Sequence, residues 1–205
     1  MNYDKIIFRI IRLDKSIYLE LLNEANILQK SIAVWISTYI LGLLALLSFI
    51  DRALDYLKTT LPTISQELIQ SGIAIEEFEL AIDQLSRLAE ESLVYSIFPD
   101  AFIGLVVFAV QVGIIYSILK YLLRKDTYLK SIIVVLGFST VPALFNFIIL
   151  FTPSLYLNAI IILITNLAIL FTMGSGLKQV YSLRNIETIL LVVASTSLSS
   201  FLASI

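Results

Sequence analysis

The chain has 205 residues and a net charge of −2, and 59% of its residues are hydrophobic against 15% charged, which is too apolar for an ordinary soluble domain. It contains no Cys and no His, which excludes disulfides, thiolate chemistry, Cys-bound zinc, histidine-ligated haem and a histidine general base. The charge balance does not indicate nucleic acid as a partner, and no residue pattern points to a cofactor. The composition predicts an all-α, polytopic membrane protein.

Residues 1–30 predict one amphipathic cytoplasmic helix, because polar and apolar residues separate at 100° per residue. One face carries Lys5, Arg9, Arg12, Ser16, Glu20 and Asn23, and the opposite face carries Ile6, Ile10, Leu13, Ile17, Leu21 and Leu28. The helix can lie among lipid headgroups or pack on the ends of the spans, and the pattern leaves both open. We expect no signal peptide here, since charges occur throughout.

Five membrane spans follow from the uncharged runs, because a helix needs about 20 apolar residues to cross the hydrocarbon core. The runs are 31–50, 101–119, 131–177 and 188–205. The third is too long for one helix and is divided at Pro153 and its neighbours. The predicted membrane domain, 31–205, therefore has spans at 31–50, 93–119, 131–151, 155–177 and 188–205.

Lys and Arg predict the orientation of these spans. Segments 1–30, 120–130 and 178–187 hold eleven of these residues, whereas 51–100 holds three. We therefore expect a multi-pass protein of the cell membrane with a cytoplasmic amino terminus and an extracytoplasmic carboxyl terminus.

The outer loop 51–92 is acidic but retains helical periodicity. Apolar residues from Leu54 to Leu68 form one stripe, with Pro62 in the first turn of a helix and Gly72 at its end, and a second stripe starts at Ile75. A solvated helix face explains the acidic side chains, and a cation site or a docking face for a basic partner is the alternative. These side chains are Glu76, Glu77, Glu79, Asp83, Glu90 and Glu91.

The uncharged runs carry amides and hydroxyls as their only strongly polar side chains, so proton-coupled transport is not expected. Gly137 and Pro142 predict a kink in the third span, because proline lacks an N–H and clashes with the preceding turn. Asn146, Asn158 and Asn166 predict hydrogen bonds between helices, with a polar conduit as the alternative.

Basic residues on the cytoplasmic side form a predicted patch. They fix the topology and meet anionic lipid, or they bind an acidic protein partner. The patch consists of Lys120, Arg124, Lys125, Lys130, Lys178 and Arg184.

Residues 116–131 followed by Gly-Phe-Ser-Thr-Val-Pro at 137–142 resemble the Yip1 domain family, whose members carry Gly-Tyr/Phe-x-x-x-Pro in the third of five spans. Residues 176–188 are similar to the short connection before the family's last span. The resemblance covers 100–205 and implies five spans with a cytoplasmic amino terminus. The Asp-Leu-Tyr-Gly-Pro element of eukaryotic members is missing and the acidic loop is additional. The chain therefore looks more like a prokaryotic member, for which the family implies no reaction.

The residues thus predict a non-enzymatic membrane scaffold, or a partner of other membrane components. The bilayer and other membrane proteins are its expected partners, and homo-oligomerisation is left open. The alternative is a permease, or an accessory subunit of a transporter, for a neutral solute, with Asn146, Asn158 and Asn166 along the path. Enzymes with a Ser-His pair or an intramembrane aspartyl dyad lack their residues here.

Overall fold

In the computed structural model, the described residues are 3–14, 16–70, 80, 82–84, 87 and 97–203. Every regular element within them is a helix, which confirms the all-α fold class. In chain order these are α1 (Tyr3–Ile11), α2 (Ile17–Leu22), α3 (Ile27–Gln70), α4 (Ile97–Ser117), a π-helical turn (Ile118–Leu122), α5 (Leu129–Ser139), a 3₁₀ helix (Val141–Leu150), α6 (Leu155–Tyr181) and α7 (Asn185–Ala203).

The five predicted spans correspond to the apolar helices of the structure. Four segments are long and apolar enough to cross a membrane, and a fifth, Asn185–Ser199, is a shorter apolar helix. The four are Ile27–Thr60, Ala101–Leu122, Leu129–Leu150 and Leu155–Tyr181. The third is central, since 61% of its apolar 18-residue stretch is buried, against 17% for the corresponding stretches of α3 and α6. The bundle is therefore built around α5 and the 3₁₀ helix.

The prediction of one amphipathic helix over 1–30 is wrong, because the chain forms α1 and α2 with a break between them. Leu13 takes a left-handed backbone conformation (φ 53°), and the Asp14 carboxylate accepts the Ser16 backbone N–H at 3.0 Å. Such local side-chain bonds compete with the helical ladder. The two helices fold onto the spans and bury Ile6, Ile10, Ile17 and Leu21, whereas Leu13 and Leu28 of the predicted apolar face stay exposed.

Helix α3 continues past residue 50, the predicted end of the first span, and ends at Gln70. Pro62 accordingly lies inside a helix and not in its first turn. Apolar periodicity persists past residue 50, and the Thr59 hydroxyl donates to the Asp55 carbonyl at 2.9 Å within the ladder. Several predicted features lie outside the described residues. They are the helix end at Gly72, the acidic side chains named above other than Asp83, most of the second apolar stripe, and residues 93–96 of the second span.

Two glycines allow close helix packing in the centre of the bundle. A Cβ on Gly137 of α5 would lie 2.5 Å from the Ser31 carbonyl oxygen of α3. A Cβ on Gly176 of α6 would lie 2.7 Å from Val135 and 3.0 Å from the buried ring of Tyr18 in α2. Their small size therefore sets the distance of α3 from α5, and those of α5 and α2 from α6.

Candidate functional site

The third span changes helix type at the predicted kink. Helix α5 ends at Ser139, and the 3₁₀ helix starts at Val141 with Pro142 in its first turn. Proline cannot donate to the α-helical ladder, and its ring clashes with the carbonyl four residues earlier. The 3₁₀ helix then continues for ten residues, although such helices rarely exceed four.

Hydroxyl groups from three helices surround this break. Ser139 and Thr140 each donate to a carbonyl in the preceding turn, at 2.8 Å. The Thr172 hydroxyl of α6 donates to the Ser139 carbonyl at 2.7 Å, and the Thr38 hydroxyl of α3 lies 2.7 Å from that of Thr140. These bonds satisfy carbonyls that the interrupted ladder leaves free, and they tie the break to both neighbouring helices.

A groove of about 290 Å³ lies between α3, the 3₁₀ helix and α6. Most of its lining is apolar, and its hydroxyl and amide groups come from Thr38, Thr140, Asn146 and Asn166, together with the phenol of Tyr39. The structure thus brings two of the three predicted asparagines together. The Oδ1 atom of Asn146 is buried and accepts no hydrogen bond from any residue that the structure describes.

Asn158 has a different environment from the other two asparagines. It is fully buried near the start of α6, and its Nδ2 donates to the Thr152 carbonyl at 3.0 Å. It does not line the groove formed by the described residues. Asn158 therefore stabilises the turn before α6, whereas Asn146 and Asn166 face a shared space.

Sequence reasoning missed the role of Arg52, which it counted only as an outer charge. The guanidinium donates to the carbonyls of Ile149 at 2.6 Å, of Leu150 at 2.9 Å and of Thr152. The last carbonyls of a helix have no partner within it, and a planar guanidinium can serve several at once. These hydrogen bonds are here called the arginine clamp. The sequence signal that could have indicated them is a single arginine at the predicted membrane boundary, on the same side as the Pro153 turn.

The basic patch is only partly assembled. Lys120, Arg124 and Lys125 line one open cleft of about 410 Å³ between α4 and α5, here called the basic cleft, together with Asp126, Thr127 and Tyr128. Lys130, Lys178 and Arg184 are exposed but are not among its described lining residues. The cleft therefore belongs to one connection, although the Tyr181 hydroxyl of α6 reaches its edge by donating to the Tyr128 carbonyl at 3.4 Å.

The π-helical turn gives the basic cleft its shape. The Leu123 N–H donates to the Ile118 carbonyl and the Lys125 N–H to the Leu119 carbonyl, both at 2.9 Å. Arg124 between them adopts a left-handed conformation (φ 52°). Since Leu119 is fully buried, these bonds attach the basic residues to the core of the bundle.

Arg9 of α1 organises an ion-pair network with α2. It donates to Glu20 at 2.5 and 2.8 Å, to Asp14 at 2.7 Å and to the Ser16 hydroxyl at 2.8 Å. These hydrogen bonds lower the pKa of both Asp14 and Glu20 to about 2, with the Arg9 bond as the main cause in each case. The charge of Arg9 is thus neutralised within the segment, and it does not add to the basic patch.

The chain matches no protein family, no curated protein and no solved structure with which it was compared. The resemblance to the Yip1 family accordingly rests on the sequence motifs at 116–142 and 176–188.

Proposed function

We propose that this protein is a non-enzymatic integral membrane protein, similar to the Yip1 family, that serves as a scaffold or partner of other membrane components. Its amino terminus is cytoplasmic and its carboxyl terminus extracytoplasmic, in line with the distribution of Lys and Arg. The observation that carries the proposal is the basic cleft, which presents three cations beside exposed aromatic side chains.

Side chains in and beside the basic cleft favour a protein partner. Tyr121 and Tyr128 are each 71% exposed and Leu122 is 74% exposed, beside Arg124. Tyrosine and arginine are enriched at the centres of protein interfaces, where they bury a large area at low cost in side-chain entropy. The ammonium of Lys120 donates to the Tyr116 hydroxyl at 2.6 Å, which orders it at the cleft edge. An acidic, partly apolar segment of another protein complements this surface.

A charge-reversal pair tests the proposal. Arg124→Glu with Lys125→Glu changes the cleft, while Lys178→Glu with Arg184→Glu makes the same change of charge outside it. We expect the first pair to lose the proteins that co-purify from native membranes and the second pair to keep them. Reporter fusions check that both variants retain their orientation. Equal loss in both pairs, or no loss in either, would leave only a role in topology and lipid contact and would refute the proposal.

A permease for a neutral solute is the second candidate function. One observation favours it, namely that Asn146 and Asn166 line the same groove. Asn158 lies apart from them, so the three amides do not form one continuous path in the part of the chain that the structure describes. Solute uptake by proteoliposomes that Asn146→Leu abolishes, with unchanged melting temperature, would support this function over the scaffold.

A further inference from the structure

Helix α1 presents a second apolar surface that the bundle does not use. Its residues Ile6 and Ile10 are buried in the core, whereas Phe8 is 54% exposed and Ile11 is also exposed. Phe8 and Ile11 are three residues apart and are therefore neighbours on one side of the helix. Leu13, just past the end of α1, is exposed as well, in the left-handed backbone conformation that leucine rarely adopts. These three exposed side chains are here called the α1 apolar face.

The α1 apolar face lies beside the spans and not above them. Ile11 and Leu13 line a hollow of about 180 Å³ whose other walls come from the 3₁₀ helix and α6. Those walls include Phe145, which is exposed, and Phe171, which is 68% exposed. Phe171 precedes the end of α6 at Tyr181 by ten residues, which is about 15 Å along the helix. The α1 apolar face therefore continues the exposed flanks of two segments that are apolar enough to cross a membrane.

Charged side chains follow the α1 apolar face in order around the helix. At 100° per residue, Arg12 lies about 40° from Phe8, and Arg9 lies about 60° further in the same direction. The Arg12 guanidinium carbon stacks 4.0 Å from the centre of the Phe8 ring, which leaves its N–H groups available to phosphate oxygens. Arg9 is bonded to the carboxylates of Asp14 and Glu20. The order from hydrocarbon to phosphate to water in a bilayer surface matches this order of side chains.

We propose that the α1 apolar face binds an anionic phospholipid leaflet, namely the leaflet at the cytoplasmic end of α6 in the proposed orientation. Its three side chains contact acyl chains, and the exposed cations Lys5 and Arg12 contact phosphates. Amphipathic helices at a bilayer surface bury their apolar face by about 5–10 Å, in keeping with contacts to Phe145 and Phe171 along the sides of the spans. This goes beyond the scaffold function, which concerns the basic cleft.

Brominated phospholipids provide a local assay, because bromine quenches tryptophan fluorescence on contact. The reporter is Phe8→Trp combined with Trp35→Phe, since the native chain has one tryptophan. The full chain is reconstituted in nanodiscs with equal amounts of phosphatidylglycerol and phosphatidylcholine, and one lipid or the other carries the bromines. We expect quenching by both lipids, with a binding constant about fivefold higher for phosphatidylglycerol, since Asp4 offsets one of the two cations.

A pair of charge variants connects the preference to α1. Lys5→Gln with Arg12→Gln, made in the reporter chain, should keep the quenching and remove the preference for phosphatidylglycerol. Lys120→Gln with Arg124→Gln removes two cations from the basic cleft and should leave the preference at position 8 unchanged.

A spin label tests acyl contact in a chain that keeps Phe8 and Trp35. The chain has no cysteine, so Ile11→Cys can be labelled at a single site. The nitroxide should be more accessible to oxygen than to a water-soluble nickel chelate, as should the reference label at Phe171→Cys. This measurement decides the proposal if the tryptophan reporter fails to fold.

Three results would overturn the proposal. Quenching by aqueous iodide and by neither lipid would place the α1 apolar face in water. Shielding from iodide without quenching by lipid would assign the face to a protein surface, whether a second copy or another chain. Equal binding constants for the two lipids, or a preference that survives Lys5→Gln with Arg12→Gln, would show that the two cations do not bind the leaflet.

Discussion

Replacement of Gly137 by alanine tests the close backbone approach of α3 to α5. The new Cβ would lie 2.5 Å from the Ser31 carbonyl oxygen and 2.8 Å from its carbon, whereas ordinary contacts begin near 3.4 Å. Both positions belong to backbone within long helices, so α3 must move away from α5 by roughly 1 Å. Overpacking of this kind costs about 1–3 kcal/mol, against about 0.5–1 kcal/mol gained when alanine replaces glycine in a helix. We expect a net destabilisation of about 1–2 kcal/mol.

Gly113→Ala is the matched control for Gly137→Ala. Gly113 lies in α4 and has no heavy atom within 4 Å of its Cβ position. Only the helix-propensity gain applies there, so this variant should be more stable than the native chain by about 0.5–1 kcal/mol. Reversible unfolding in mixed micelles with increasing dodecyl sulfate gives both values. Equal stabilisation of the two variants would show that α3 and α5 are not in backbone contact and would refute the packing described above.

Three further predictions concern orientation, the arginine clamp and the amino-terminal ion pairs. A reporter that is active only outside the cytoplasm should work when fused after Ile205, and a cytoplasmic reporter there should be silent; the opposite result would contradict the orientation derived from Lys and Arg. Arg52→Gln should lower the free energy of unfolding by about 1–3 kcal/mol, because the Leu150 carbonyl loses its donor and the carbonyls of Ile149 and Thr152 lose a charged one. Arg52→Lys should recover part of this stability, and native stability in Arg52→Gln would refute the clamp. The pKa values of Asp14 and Glu20 are lowered to about 2 in the folded chain. The stability that their ion pairs with Arg9 contribute is therefore complete above the ordinary carboxylate pKa of about 4, and it is lost as the pH falls towards 2. The protection of backbone amides in residues 3–22 against hydrogen exchange should therefore be constant down to about pH 5 and should decrease below about pH 4. The Arg9→Gln variant should show lower protection at neutral pH and no such decrease on acidification.

The positions of the apolar helices could be predicted because they depend on local composition. Helix α6 starts at Leu155 as predicted, since Pro153 ends the preceding segment and the Ser154 hydroxyl accepts the Leu157 N–H at 3.3 Å. The interruption near Pro142 follows in the same way from the chemistry of one residue. Such features need no knowledge of what the helices pack against.

Features that depend on tertiary contacts could not be predicted in this way. Arg52 bonds to carbonyls that lie 97 to 100 residues further along the chain. Gly174 and Gly176, where a flexible exit from the span is expected from composition, are instead buried inside α6, which continues to Tyr181. Propensity is a weak prior when packing opposes it.

The sequence could not show that Asn146 and Asn166, without Asn158, line one groove. An α-helix turns by about 100° per residue, whereas the 3₁₀ helix after Pro142 turns by about 120° per residue. After Pro142 the side chains therefore drift away from the face that α-helical periodicity assigns to them. The sequence indicated that asparagines lie within the spans, but the change of helix type affects which of them line the same groove.

The substitution Pro142→Ala tests whether the proline maintains the 3₁₀ helix. Alanine restores the missing N–H and removes the ring that clashes with the Phe138 carbonyl, so α-helical geometry becomes accessible beyond Ser139. A 3₁₀ helix rises about 2.0 Å per residue against about 1.5 Å for an α-helix. Over the ten residues of Val141–Leu150, full conversion would shorten the span by about 5 Å.

Arg52 opposes that shortening, because its guanidinium holds the far end of the 3₁₀ helix to α3. Pro142→Ala should therefore shorten the third span only partly, and Pro142→Ala combined with Arg52→Gln should approach the full change. Spin labels on cysteines that replace the exposed residues Lys130 and Phe151 report the distance, since the chain has no cysteine of its own. An unchanged distance in both variants would mean that packing against α3 and α6, and not the proline, maintains the 3₁₀ geometry that brings Asn146 to the groove.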